Sequence, residues 1–77
     1  MNLTIITPEE RIFEGEADLV QLPGSDGLFG ILKNHAPMIA SLGKGKVKIA
    51  LNGTLQYIEI NGGVAKVSEN EIIVLAD

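Results

Sequence analysis

The sequence has no cysteine and no tryptophan, one histidine, and three other aromatic residues among its 77 positions. Without cysteine it can form neither a disulfide nor a thiolate metal site, and it has no thiol nucleophile. A single histidine excludes a metal site with two histidine ligands in one chain. The net charge of −4 and the shortage of aromatic side chains argue against nucleic-acid binding, which needs basic residues for phosphates and rings for bases.

The sequence also lacks a long apolar run. No window approaches the ~18 consecutive apolar residues of a membrane-spanning helix. The N-terminal residues "MNLTIITPEE" contain no basic region followed by an apolar stretch, as a secretory signal would. We therefore expect a soluble protein that stays where it is made and does not insert into a membrane.

Residues suited to catalysis or cofactor binding are few. His35 follows Asn34 in a loop-like segment, where a histidine most often anchors the backbone through a hydrogen bond, less often contacts a partner, and least often binds metal or catalyses. The glycines at 24, 27 and 30 recur every third residue, which is not a dinucleotide fingerprint, and Pro37 prevents a following helix. We expect no catalytic residue, no cofactor and no metal.

Nine glycines and three prolines interrupt short β-branched runs, as in an all-β sandwich or barrel. The run "TPEE" resembles a helix-capping box, with Thr7 as the cap and Glu10 three residues later, but Gly15 leaves room for one turn only. We predict strands over residues 3–7, 11–15 and 17–22, with the third ending at Pro23. The apolar segment 27–42 has the pattern of a loop.

The strongest local signal is Asn52-Gly53 between two alternating runs, which predicts a two-residue hairpin turn. Such a turn places residue 51 opposite 54, 49 opposite 56 and 47 opposite 58. The predicted core face then carries Val47, Ile49, Leu51, Thr54, Gln56, Ile58 and Ile60. On the other face Lys46 lies opposite Glu59 and Lys48 opposite Tyr57, which accounts for half of the four lysines in residues 33–51.

A second hairpin is predicted around Glu69-Asn70, and the strand after it is unusual. Its residues "IIVL" are all apolar, whereas a strand with one solvated face alternates. Such a strand is either central in the sheet with an outer face that meets something, or part of an interface. The chain thus has more apolar strand surface than one small core uses, which predicts a docking partner.

Five segments, "LTIITPEE", "LPGSDG", "GLFGILKNHAP", "NGGVAKV" and "IIVLAD", occur together in an order that resembles the epsilon subunit family of the F-type ATP synthase. The resemblance spans residues 1–77 and implies one domain, an all-β, flattened antiparallel sandwich of about ten short strands. It further implies a non-catalytic subunit of the rotor's central stalk, bound to the gamma subunit and to the ring subunits of the membrane sector. The implied location is peripheral, at the cytoplasmic face of the cell membrane.

The resemblance also implies two sets of contact residues. The set expected to face the ring is Ser25, Asp26, Gly27, Leu28 and Phe29, and the set expected to face gamma is Thr7, His35, Ala36, Pro37, Met38 and Ala40. Leu28 departs from the family, which often has an acid there, so Asp26 is left to supply the charge. Many relatives continue into a helical hairpin, whereas this sequence stops at Asp77, which leaves any regulatory role open.

A swinging-arm carrier of the lipoyl or biotinyl type is the alternative, because those domains are β-sandwiches of similar length. They present a modifiable lysine at a hairpin tip. Here the tip is Asn52-Gly53, and the nearest lysine lies four residues away in the sequence.

Overall fold

The computed structural model describes residues 1–77, and all of its regular structure is β-strand. Its accessible surface is 4630 Å², close to the roughly 4,500 Å² that size scaling gives for this mass. The nine strands are β1 (Asn2–Ile6), β2 (Arg11–Glu16), β3 (Leu19–Gly24), β4 (Gly27–Leu32), β5 (Met38–Leu42), β6 (Gly45–Leu51), β7 (Thr54–Ile60), β8 (Gly63–Ser68) and β9 (Glu71–Ala76).

The strands form one continuous sheet in the order β2-β1-β9-β8-β5-β3-β6-β7, with β4 on the second edge of β3. It curls into two layers, which we call the first sheet (β2, β1, β9, β8, β5) and the second sheet (β4, β3, β6, β7). The all-β sandwich is confirmed, with one correction to its antiparallel character. The terminal strands β1 and β9 are parallel neighbours, an arrangement that requires a long connection between them, here the seven strands β2 to β8.

The strand β3 connects the two layers, because it pairs with strands of both. β6 pairs with residues 19–21 of β3, and β5 pairs with the end of β3 at Gly24. The prediction that the third strand ends at Pro23 is wrong, since β3 continues to Gly24 and pairs with β4 throughout. Proline is tolerated there because the ladder to β6 has already ended, and the Pro23 carbonyl accepts a 2.8 Å hydrogen bond from the amide of Gly43.

The loop interpretation of residues 27–42 is also corrected, because this segment contains β4 and β5 with a connection of five residues between them. The Thr7–Glu10 capping bond forms, with the Glu10 amide donating to Thr7 Oγ1 at 3.2 Å. No helical turn follows it, since β2 begins at Arg11.

The β6–β7 hairpin has the predicted register, with Leu51 opposite Thr54, Lys46 opposite Glu59 and Lys48 opposite Tyr57. Asn52 and Gly53 both have positive φ, of 51° and 80°. The predicted core face is only half right, because Leu51, Thr54 and Gln56 are exposed and line an open concavity between the hairpin and β2. The Lys46–Glu59 pair is not among the structure's two ion pairs, which join Met1 to Glu16 and Arg11 to Glu14.

A single apolar core lies between the layers. Both sheets contribute to it, and its largest fully buried side chains are Leu3, Ile5, Val20, Leu22, Ile31, Val47, Ile72 and Val74. Because alternate residues of a strand point to opposite faces, this core fixes which residues each sheet turns outward.

Candidate interaction surfaces

The outer face of the first sheet carries a group of neighbouring apolar side chains, which we call the first-sheet patch: Ile6, Ile39, Val64, Ile73 and Leu75. Strand pairing places Leu75 between Val64 and Ile6, and Ile73 lies two residues along the same strand. Ile39 is 72% exposed and Leu75 is 54% exposed. Adjacent strands lie about 4.8 Å apart, so Ile6, Leu75 and Val64 form one apolar row. Ile39 lies diagonal to Val64 and is separated from Ile73 by Lys66.

Polar and charged residues surround the first-sheet patch. Arg11 is paired with Ile6 and Glu14 with Thr4 in the next row, whereas Lys66 lies within the patch, between Ile73 and Ile39. An apolar surface with a polar border is typical of a protein–protein contact site. The patch also resolves the position of the apolar "IIVL" run. β9 is a central strand that contributes Ile72 and Val74 to the core and Ile73 and Leu75 to the outer face.

The outer face of the second sheet carries apolar side chains as well, beside the charged residues Lys46, Lys48 and Glu59. We call its larger apolar members and Ala50 the second-sheet patch: Leu19, Leu28, Leu32, Ala50, Leu55 and Tyr57. Leu32, Leu19, Ala50 and Leu55 are paired in one row across β4, β3, β6 and β7. Leu32, Leu28, Leu55 and Tyr57 are each more than half exposed. The domain therefore has an apolar surface on both sides of its core.

A concavity of about 370 Å³ separates the β3–β4 turn from β5. The turn is fastened to β5 by a 3.0 Å hydrogen bond from the Ser25 amide to the Ser41 carbonyl. The lining residues come from both predicted contact sets: Ser25, Asp26, Gly27 and Phe29 from one, and Met38 and Ala40 from the other. A single partner surface inserted here would touch both sets.

Members of the predicted ring set differ in their exposure. Ser25 and Asp26 are the exposed turn residues, and Leu28 is 67% exposed on the outer face of β4. Phe29 points the other way and packs, half-buried, against the core. Its ring also lies under Gly24, where an added Cβ would stand only 2.8 Å from a ring carbon. Phe29 thus shapes the floor of the concavity, whereas Asp26 and Leu28 are free for contact.

The predicted gamma set is divided among three places, one of which is the concavity, where Met38 and Ala40 lie on the core-facing side of β5. Ala36 and Pro37 lie exposed in the loop before β5, beside Glu69 of the β8–β9 turn. Thr7 follows β1 at the opposite end of the first sheet, because β1 runs parallel to β9 and β5 runs antiparallel to β8. The first-sheet patch lies between these two ends.

His35 is half-buried in that loop, and its side chain bonds to the backbone. Nδ1 lies 2.7 Å from the carbonyl oxygen of Ala36, and since a carbonyl only accepts, Nδ1 is the donor. The His35 amide also donates to the Leu32 carbonyl at 3.2 Å. The structure therefore confirms the prediction that this histidine anchors the backbone.

The acidic and histidine side chains do not converge. No group of three or more metal-binding side chains is close enough to hold an ion. Every buried side-chain nitrogen or oxygen has a hydrogen-bond partner. No helix of the structure is long and apolar enough to cross a membrane. The apolar faces and the concavity are thus the features of this surface that call for a functional explanation.

Comparison with known proteins assigns the fold to a family. The family model described as "ATP synthase, Delta/Epsilon chain, beta-sandwich domain" matches residues 1–77, the entire sequence. The chain belongs to this family. Three similar relatives are all called ATP synthase epsilon chain. Those of Leptospira borgpetersenii and Symbiobacterium thermophilum are 42% and 49% identical over 100% of this chain. That of Caulobacter vibrioides is 39% identical, also over 100% of this chain.

The relatives differ in length. This epsilon-family chain spans 61% of the Leptospira protein and 56% of the Symbiobacterium protein. It spans 90% of the Caulobacter protein. The β-sandwich accordingly corresponds to a little over half of the first two relatives.

Solved structures support the same fold. A chain in the Euglena gracilis mitochondrial ATP synthase, described as OSCP/F1/c-ring, has a TM-score of 0.88 at 22% identity, covering 96% of this chain and 48% of that one. A chain in the Tetrahymena thermophila mitochondrial ATP synthase, described as central stalk/c-ring, has a TM-score of 0.78 at 18% identity, covering 99% and 62%. The sandwich architecture is therefore kept where few residues are shared.

Sequence reasoning missed most of the first-sheet patch. The apolar run in β9 predicted Ile73 and Leu75, but nothing local marked Ile39 or Val64 as their neighbours. The pairing of β8 with β9 places Val64 beside Leu75, and the pairing of β5 with β8 places Ile39 on the same outer face.

Proposed function

We propose that this domain is a non-catalytic rotor subunit of the F-type ATP synthase that fills the joint between the gamma subunit and the membrane ring. It would act from the cytoplasmic face of the membrane as a peripheral component. The observation that carries the proposal is the pair of apolar outer faces on a sandwich whose sequence belongs to the epsilon family. A rigid domain that can bind neighbouring subunits on more than one side is suited to transmitting torque.

The first-sheet patch is the surface that we assign to gamma. It lies between Thr7 at one end of the sheet and Ala36 and Pro37 at the other, so one partner lying along the face would meet all of them. Full burial of an exposed aliphatic side chain contributes about 1.5–3 kcal/mol. Ile39 and Leu75 would together supply a substantial part of a stable interface.

The β3–β4 turn is the surface that we assign to the ring. Asp26 is exposed at its tip, and Leu28 projects beside it from the start of β4. A carboxylate next to an exposed leucine suits a contact with a basic polar loop that carries an apolar residue. Phe29, packed against the core, would hold the turn in place.

Co-expression with gamma followed by size-exclusion chromatography tests the assignment. We expect a one-to-one complex with the wild-type chain and its loss with Leu75→Asp. Leu55→Asp is the matched control, because Leu55 is a leucine of nearly equal exposure, 51% against 54%, on the opposite outer face. Circular dichroism of each free variant would check that it folds.

Failure of the wild-type chain to bind gamma would contradict the proposed function. Binding that survives Leu75→Asp but is lost with Leu55→Asp would contradict the choice of face and leave the function intact. The carrier alternative gains no support, because the β6–β7 tip consists of Asn52 and Gly53 and has no lysine to modify. The residue that contacts this tip is Asp18, whose carboxylate accepts a 2.9 Å hydrogen bond from the Asn52 amide.

A further inference from the structure

β7 is a free edge strand, and it has few of the features that prevent edge-to-edge pairing. It ends the strand order, next to β6 only. Natural sheets protect such edges with bulges, prolines, charges or short strands. β2, at the opposite end of the order, pairs through a register shift and carries Arg11, Glu14 and Glu16. β7 has seven residues, "TLQYIEI", with no register shift, no proline and a single charge at Glu59.

The backbone of β7 offers hydrogen-bonding groups at this edge. A two-residue turn closes on a hydrogen-bonded pair, here Leu51 with Thr54, and such pairs then alternate along the ladder. The amides and carbonyls of Thr54, Gln56 and Ile58 therefore face β6. Those of Leu55, Tyr57 and Glu59 face away from it, where β7 has no neighbour.

The sequence of β7 is complementary to itself when two copies run antiparallel. In the register centred on Gln56, Leu55 of each copy lies opposite Tyr57 of the other, and both are outward-facing backbone positions. Glu59 lies opposite Gly53, so the two acids do not meet. Aromatic–aliphatic pairs of this kind stabilise neighbouring antiparallel strands. The shift that would place Glu59 opposite Glu59 brings like charges together and is disfavoured.

The pairing would also continue the second-sheet patch. The row Leu32, Leu19, Ala50 and Leu55 would extend onto Tyr57 of the second copy. Leu55 and Tyr57 are both more than half exposed in the single chain. Two four-stranded second sheets would join into one of eight strands, with these two side chains covered at its centre.

We propose that the unassembled domain pairs with a second copy of itself through β7. This inference is independent of the proposed function, because it concerns the second sheet and involves no other subunit. A single strand pair covers less surface than a standard stable interface, so the dimer is weak and forms at high protein concentration. In this dimer the β7 edge of each unassembled domain is covered by the other copy.

Sedimentation equilibrium of the purified chain, from micromolar to near-millimolar concentration, tests the association. The average mass should rise from 8.2 kDa towards twice that value. Leu55→Lys should lower the association constant roughly tenfold or more, because it removes both Leu55–Tyr57 pairs. Leu32→Lys is the matched control, an exposed leucine of the same row on β4, the other edge strand of the second sheet, and it should leave the constant unchanged.

Amide hydrogen exchange of the wild-type chain, followed by NMR, does not depend on any variant folding. The Leu55 and Tyr57 amides should become slower to exchange as concentration rises, while Gln56 and Ile58, already bonded to β6, should not change. A mass that stays at 8.2 kDa with no added protection at Leu55 and Tyr57 would overturn the proposal. So would an association that Leu32→Lys weakens as much as Leu55→Lys, since the apolar face and not the β7 edge would then be responsible.

Discussion

Gly63 begins β8 under an unusual constraint, and replacing it tests how tightly β8 and β9 are joined. Its φ is +141°, and an added Cβ would lie 2.1 Å from the Leu75 carbonyl oxygen and 2.9 Å from the Cα of Ala76. Gly27 has nearly the same φ, +134°, but an added Cβ there would meet nothing within 4 Å. The two glycines therefore share backbone strain and differ in the space around them.

The expected losses follow from this difference. Alanine at either position adopts a backbone conformation that costs on the order of 1–3 kcal/mol. At Gly63 the clash must also separate the start of β8 from the end of β9. If two or three backbone hydrogen bonds are lost there, at about 1 kcal/mol each, Gly63→Ala loses about 2–3 kcal/mol more than Gly27→Ala. The total free energy of unfolding of a chain of this length is roughly 4–12 kcal/mol, so the Gly63→Ala variant should be close to unfolding.

Urea unfolding of both variants, followed by far-ultraviolet circular dichroism, measures the two losses. Gly27→Ala should shift the midpoint modestly, and Gly63→Ala should lower it severely or leave no folded baseline. Equal losses for the two variants would refute the steric reasoning and mean that β8 can move away from β9 at little cost.

Three further substitutions have defined outcomes. His35→Ala removes the bond to the Ala36 carbonyl and should lower the free energy of unfolding by about 1 kcal/mol; no measurable shift in a thermal melt would contradict the anchoring role. Leu28→Asp should leave the unfolding midpoint nearly unchanged because the side chain is exposed, yet weaken ring attachment in a reconstitution assay; an unfolded variant would place Leu28 in the core. Asp18→Ala removes the acceptor of the Asn52 amide and should cost about 1 kcal/mol in urea unfolding, whereas Asp18→Asn, which keeps an acceptor, should cost less.

The sequence predicts those parts of the fold that short-range chemistry specifies. Asn52-Gly53 fixed the β6–β7 register, because a two-residue turn leaves no freedom in how the strands align. The pattern of Gly27–Leu32 predicts a loop because its glycines resemble turn residues, whereas pairing with β3 keeps it extended. Tertiary pairing overrides a weak local preference there.

The interaction surfaces were predictable only in kind. The unbroken apolar run in β9 indicated surplus apolar surface, and the structure bears this out with Leu75. Where that surface lies depends on pairings between strands far apart in the sequence, such as β5 with β8 and β1 with β9. No local turn specifies these registers, so the members of the patch could not be assembled from the sequence.

The parallel pairing of β1 with β9 affects how the domain is made. β9, the last of these nine strands to leave the ribosome, is a central strand that lies between β1 and β8. Until Ala76 has emerged, the first strand has only β2 beside it and the nascent chain exposes an incomplete layer. Folding must therefore wait for the end of this segment, and nascent chains stalled before β9 should be readily cut by protease, whereas those stalled well after it should resist.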